Sequence, residues 1–502
     1  MRFRIASGYH AITEEVLAGS GDHAEILAEA PPRCPPLKKH KVMSYQSINP
    51  YNGRTLKTFE QMTDTQLETA LERAANCFET WRRRTFEERA VVLLNAATSM
   101  REDLDVFARP ATLEMGKLIA EARAEVGLSA DIIEYYARNA ERFLAPEILN
   151  PSSGEAEVVS TPFGVLFGVQ PWNFPYYQLA RFAAPNLMAG NVVMVKHAGC
   201  VPQCAIAFEE LWREAGAPVG AYTNLLISHE QVNRVIDDPR IKGVALTGGV
   251  AAAKGIAARA GQNLKKSTME LGGSDAFIVL DDADLDKTVA WAVWAKMNNM
   301  GQCCVAGKRF IVVDELADRF LEKFQAALAA LKPGDPMDTT TTLGPLSTES
   351  ALVQLLDQVE RAVAHGATLV MGGKRIDRPG SFMQPTILAN ISATNPAYRE
   401  EFFGPVALFF RVQNEDEAVA LANDSDFGLG GSVFTGDVAR GKRVAGRVDT
   451  GMMFVNHPTW TTPDLPFGGI KNSGYGRELS SSGIQEFVNK KLVRVDSIDA
   501  AA

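Results

Sequence analysis

Cysteine is scarce in this chain. Six occur in 502 residues, two of them adjacent, which excludes a dense disulfide framework and points to a reducing, cytoplasmic setting. Long apolar runs are missing too: none approaches the roughly 18 residues needed to cross a bilayer. Positive charge is in deficit. A net charge of -9 and a pI near 5.5 exclude a broad surface for nucleic acid or anionic membrane and leave room only for local basic pockets. Residues 1–42 have no continuous apolar segment of the secretory kind, and their five acidic residues are unlike an organellar transit peptide. With the stiff run Pro31-Pro32-Arg33-Cys34-Pro35-Pro36, they are expected to be a disordered tail or a mis-assigned start before Met43.

What remains is an ordinary globular composition, 46% apolar and 22% charged, long enough for two or three domains. Leu67, Ala70, Leu71, Ala74, Phe78 and Trp81 recur at helical spacing, with Thr65 and Glu68 placed as a capping box. Thr85 and Glu88 form a second box, and residues 117–143 continue the helical texture. From Phe163 the rhythm changes. Short apolar runs at 163–169, 192–195, 222–227, 242–246 and 276–280 alternate with helix-length segments. Buried parallel strands with crossover helices produce that alternation, so a doubly wound α/β domain is expected. A second α/β unit follows Cys304, with strands expected at 310–313, 407–411, 432–434 and 451–455. Ligands in such sheets sit at the carboxyl ends of the strands, where Trp172, Lys196 and Thr247-Gly248 fall.

The chemistry concentrates in two places. Glu270 ends a short apolar segment in Met269-Glu270-Leu271-Gly272-Gly273, and Cys304 closes Gly301-Gln302-Cys303-Cys304. A thiolate attacks a carbonyl carbon and holds the product as a thioester, and a carboxylate then activates the water that releases it. An isolated cysteine is ordinarily a small buried hydrophobe and an isolated glutamate a strand end. The combination with Pro171-Trp172-Asn173-Phe174-Pro175 changes that reading.

In these motifs, and in their order from about Ile48 to Val495, the chain resembles the aldehyde dehydrogenase superfamily. The resemblance implies an aldehyde dehydrogenase-like α/β fold. Its cofactor-binding domain would take 43–143 and 162–271 and its catalytic domain 272–474. A small β oligomerisation arm would take 144–161 and 475–502 and assemble a homodimer or homotetramer. It implies Cys304 as nucleophile, Glu270 as general base, and Asn173 as the amide that holds the oxyanion. Cys303 fills the variable place of its motif, with a packing role. The signature Pro466–Glu478 reads as mainly structural. Cys200 and Cys204 have a metal-like spacing without an answering pair, so no metal is expected.

For the cofactor, the resemblance places Lys196 at the adenosine ribose and Thr247, Gly248 and Gly249 at a helix N-terminus facing the pyrophosphate. Trp172, a wall of the site, and Leu271 are further expected cofactor contacts, and Glu401 and Phe403 match the pair that grips the nicotinamide ribose and ring. Gly249 and Ala253 depart from the usual Ser and Gly. Gly199 stands three positions after Lys196, where strict NAD members carry a 2′-phosphate-repelling Glu. Both NADP and NAD are therefore expected to be accepted, with a mild preference for NADP.

The segments 171–185, 195–198, 271–275 and 477–480 are most similar to the succinate-semialdehyde dehydrogenase branch. Arg181 falls where that branch binds the substrate's carboxylate, and Thr462 is a second expected substrate contact. A guanidinium suits a small aldehyde with one anionic end. A second Arg found in some relatives is Asn298 here, which leaves a broader aldehyde range as the alternative. Acylating chemistry toward coenzyme A is disfavoured by Glu270, and a catalytically silent relative by the intact Cys304, Glu270 and Asn173.

Overall fold

The computed structural model describes residues 44–498, so the expectation for residues 1–42 lies outside the described residues. The chain enters as an antiparallel hairpin, Ser44–Asn49 with Arg54–Glu60, which the sequence reading did not anticipate. Helices Asp64–Trp81, Phe86–Glu102, Leu104–Met115 and Ile119–Phe143 follow.

A first sheet has six strands in the order Gly474–Tyr475, Lys266–Glu270, Ile241–Thr247, Val165–Gln170, Val192–His197 and Tyr222–Asn224. All neighbours are parallel except the first pair. The chain lays down Val165–Gln170, moves outward to Tyr222–Asn224, then returns to its other side at Ile241–Thr247. That reversal opens the crevice where doubly wound sheets bind ligands. The second sheet has seven strands, and Asp275–Val279 and Gly307–Val313 lie side by side within it. Each sheet has its own apolar core. Helix Leu285–Met297 runs between the two neighbouring strands and delivers the Cys304 turn.

The expected arm forms a three-stranded antiparallel sheet in which Val488–Val495 pairs with Glu155–Pro162, itself paired with Glu147–Leu149. The strand Gly474–Tyr475, at the expected boundary, instead joins the first sheet beside Glu270.

Local corrections have physical causes. The first helix is capped by Thr63, not Thr65: the Gln66 backbone N–H donates to the Thr63 hydroxyl at 3.2 Å, and the Thr63 N–H donates to Gln66 Oε1 at 2.8 Å. Thr63 and Thr65 both fit the box pattern; starting at the earlier one adds helical residues and puts Asp64 in the favourable first turn. The Thr85–Glu88 box forms as expected. Ladder pairing is shorter than expected at Tyr222–Asn224 and Phe454–Val455.

Candidate active site

Cys304 follows an unusual turn. Asn299, Met300 and Gly301 take φ of 52°, 56° and 72°, three successive left-handed residues. Asn and Gly tolerate that region, but for Met it costs about 1–2 kcal/mol. Buried hydrogen bonds hold the turn. The Asn299 N–H donates to Glu121 Oε1 at 3.0 Å, Asn299 Nδ2 to the Asn173 carbonyl at 2.8 Å, and the Ser347 N–H to Gln302 Oε1 at 2.8 Å. Strain supported from several sides is the pattern of a site that fixes a reacting atom.

Asn173 lies just past strand Val165–Gln170, 4% exposed, and its Nδ2 donates to the Gln302 carbonyl at 3.1 Å. Its loop is anchored from helix Ile119–Phe143. There Glu125 accepts the N–H groups of Tyr176 and Tyr177 at 2.8 and 3.2 Å and pairs with buried Lys117, whose ammonium lies 3.7 Å from the centre of the Phe174 ring. The loops of Asn173 and Cys304 are thus joined to each other and to one helix.

Cys303 is buried and Cys304 half-buried, so Cys304 is the more accessible sulfur. The hydrogen bond between the thiols lowers the pKa of Cys303, whereas that bond and burial raise the pKa of Cys304 well above the usual thiol value. The pair therefore yields one thiolate readily and a second with difficulty. Lys308 and Arg181 are cations that favour the negative charge on Cys304.

Glu270 ends strand Lys266–Glu270, 3% exposed, with neither carboxyl oxygen hydrogen-bonded among the described residues. Burial pushes its pKa well above the usual carboxylate range; Arg181 opposes that shift and Glu478 adds to it. A Cβ on Gly468 would come within 2.7 Å of Glu270 Oε1, so that glycine makes room for the carboxyl.

Arg181 is electrostatically coupled to both groups: the charges of Glu270 and Cys304 act on it. Its side chain is fully buried, ion-paired through Nε with Glu478, and lies over the Tyr177 and Phe467 rings. Nη1 donates to the Tyr177 hydroxyl at 3.0 Å and Nη2 to the Thr247 hydroxyl at 3.2 Å. Thr247 thus turns its hydroxyl toward Arg181. Tyr177 in turn meets Thr461 at 3.0 Å, and the next residue, Thr462, has a buried hydroxyl without a hydrogen-bond partner among the described residues.

The cofactor candidates form two groups. Glu401 accepts the Gly273 N–H at 3.0 Å and pairs with Lys308 at 2.9 Å. Any Cβ on Gly272 would collide with its carboxylate. Trp172 and Phe403 meet edge to face at 5.8 Å, and Leu271, next to Gly272 in sequence, is buried with Leu246, Ala253 and Met269. At the other end, Gly248 and Gly249 lead into helix Val250–Gln262, and a Cβ at Gly249 would meet nothing within 4 Å. Lys196 is 9% exposed and donates to the His197 carbonyl at 3.1 Å, without a carboxylate partner among the described residues. Burial lowers its pKa, so an anion placed there would relieve an unfavourable charge. Exposed Gly199 lies beside the Tyr45 ring. A lone buried cation, an open helix N-terminus and a glycine cradle fit a dinucleotide.

The aldehyde dehydrogenase family model matches residues 37–493. This chain belongs to the aldehyde dehydrogenase family. It is 50% identical over 450 residues to a succinate-semialdehyde dehydrogenase [NADP(+)] of Deinococcus radiodurans, covering 90% of this chain and 94% of that one. The crystal structure of succinic semialdehyde dehydrogenase from Streptococcus pyogenes in complex with NADP+ is similar at a TM-score of 0.89 and 48% identity, covering 90% of this chain and all of that one. A betaine aldehyde dehydrogenase from Staphylococcus aureus in complex with NAD+ is similar at a TM-score of 0.88 and 30% identity, covering 91% of this chain and 93% of that one.

Within this family frame, sequence reasoning missed two residues at the site. Glu478 closes the signature read as structural, yet it is the ion-pair partner of Arg181. Lys308, four positions after Cys304, has its ammonium against the Cys304 carbonyl. A lysine inside a largely apolar strand is the signal that could have found it, because such charges persist only when paired. Among the described residues no helix is long and apolar enough to cross a membrane.

Proposed function

We propose that the protein oxidises succinate semialdehyde to succinate with NADP, and less readily with NAD. The observation that carries the chemistry is the placement of a half-buried thiol and a buried, unpartnered carboxyl around one cation: Cys304, Glu270 and Arg181. The Cys304 sulfur adds to the aldehyde carbon, and the carbonyl oxygen becomes an oxyanion. Asn173 spends one amide N–H on Gln302 and has a second for that oxygen. When bound, the nicotinamide cofactor supplies the hydride acceptor that turns the adduct into a thioester. Glu270 takes a proton from water, whose oxygen attacks the thioester carbon, and the Cys304 thiolate leaves.

Glu401, Phe403, Trp172 and Leu271 would hold the nicotinamide end. Lys196, Gly199, Gly248, Gly249 and the Thr247 backbone would hold the adenosine and pyrophosphate. The relatives named for NADP support the NADP preference. The absence of an acidic side chain at Gly199 agrees with it.

Arg181 gives the substrate's carboxylate its counter-charge. Three of its five N–H groups meet Glu478, Tyr177 and Thr247, which leaves two for substrate, and Thr462 adds a hydroxyl donor. Asn298, in place of a second Arg, favours a broader aldehyde range as the second reading. A cytoplasmic homodimer or homotetramer built through the arm completes the proposal. The arm exposes Ile148, Leu492 and Val495 at 71%, 59% and 60%, an apolar edge that a second copy would cover.

An aldehyde panel assayed with both cofactors tests this reading. Succinate semialdehyde with NADP is expected to give the highest kcat/KM. Equal rates with uncharged aldehydes would replace it by the broader reading, and no aldehyde-dependent reduction of either cofactor would overturn it.

A further inference from the structure

Lys308 is a fully buried ammonium in strand Gly307–Val313. Its three N–H groups have three acceptors: the Cys303 carbonyl at 2.8 Å, the Cys304 carbonyl at 2.5 Å and Glu401 Oε1 at 2.9 Å. Burial opposes its charge, but Glu401, Asp275 and Cys304 outweigh that and keep it cationic. Neighbouring Lys296, equally buried and with its amine unpartnered among the described residues, is driven toward the neutral form by burial and by Lys308. Among the described residues, Lys308 is the ammonium that hydrogen-bonds the Cys303 and Cys304 carbonyls, and Arg181 is a second cation whose charge favours a negative Cys304.

A stabilising ion pair would need only Glu401. Two of the three donors go instead to consecutive carbonyls of the nucleophile and its neighbour. An ammonium satisfies three converging acceptors as a compact point charge, which a planar guanidinium does not. Glu401 thus shares one cation with the Cys304 turn.

We infer that Lys308 is a positioning residue that couples the cofactor seat at Glu401 to the reactivity of Cys304. Sugar hydroxyls that donate to Glu401 draw its charge away from Lys308. More of the ammonium's field then falls on the Cys304 turn, and the thiolate is favoured. The inference rests on the proposed roles of Glu401 and Cys304. No bond to Lys308 forms or breaks, and its proton stays in place.

The test is the pH profile of iodoacetamide alkylation of the full-length protein, with and without NADP, the labelled cysteine being identified by peptide mass spectrometry. In the native protein NADP is expected to lower the apparent pKa at Cys304 by about one unit, roughly a tenfold faster alkylation below that pKa. Lys308→Met should lose the shift and slow alkylation without NADP. Glu401→Gln should also lose the shift but speed alkylation without NADP, because Lys308 is no longer shared. Misfolding of either variant would not produce these opposite signs. An NADP shift persisting in Lys308→Met, or both variants changing in the same direction, overturns the coupling. If the label that responds to NADP maps to Cys303, the assignment of the nucleophile fails instead.

Discussion

Arg181 and Glu478 form an ion pair in which the arginine side chain is wholly buried, and Glu270 shares the same cation through space. One positive charge therefore serves two carboxyl groups and a thiol. Burial raises the pKa of both Glu270 and Glu478, so the cluster holds fewer negative charges at rest than its residues would carry in water.

Arg181→Ala should weaken succinate semialdehyde selectively and spare butanal. A charge-assisted, buried contact is worth about 1.5–3 kcal/mol, roughly tenfold to a hundredfold in kcat/KM. Steady-state kinetics on both aldehydes decide the matter. Equal losses would assign Arg181 to holding Glu270 and Glu478 and not to substrate.

As the proposed base, Glu270 must be deprotonated to act, so thioester release should rise with pH through its raised pKa and level off above it. Glu270→Gln should remove that limb and lower turnover by roughly 10²–10⁴. Stability should move the other way. A carboxyl whose folded pKa exceeds its unfolded value of 4.5 binds its proton better in the folded state, so its stabilising contribution is full below that value. That contribution is lost as pH rises through the folded pKa. The Gln variant should therefore gain stability over native protein as pH increases, which urea unfolding at several pH values would show. A constant difference would place Glu270 in water.

Gly199→Glu should depress kcat/KM for NADP at least roughly tenfold while changing NAD by less than about threefold, because the new carboxylate repels a 2′-phosphate. The substitution is clean: a Cβ there makes ordinary contacts of 3.5 and 3.6 Å with the Tyr45 ring. Parallel loss with both cofactors would move the adenosine ribose elsewhere.

Much of this architecture is legible in the chain because apolar runs such as Val192–His197 and Val406–Val412 are buried along almost their whole length, and parallel strands leave that mark. The hairpin Ser44–Asn49 with Arg54–Glu60 was not legible. Its second strand is almost wholly exposed and polar, so no alternation announces it. Thr63 and Thr65 were indistinguishable as caps from spacing alone. At the site, Cys304, Glu270 and Asn173 stand in recognisable motifs. Glu478 and Lys308 act through ion pairs that join positions 297 and 93 residues apart, Arg181 to Glu478 and Lys308 to Glu401. Pairing at such range is set by the folded packing, and no local pattern records it.

The most direct measurement of the central claim is to mix Glu270→Gln with succinate semialdehyde and NADP, quench in acid and map the modified peptide by mass spectrometry. Slowed release should accumulate the intermediate after a burst of reduced cofactor, and the account predicts a succinyl thioester on Cys304. A succinyl group on Cys303, or a burst of reduced cofactor with no acyl-enzyme, would contradict it.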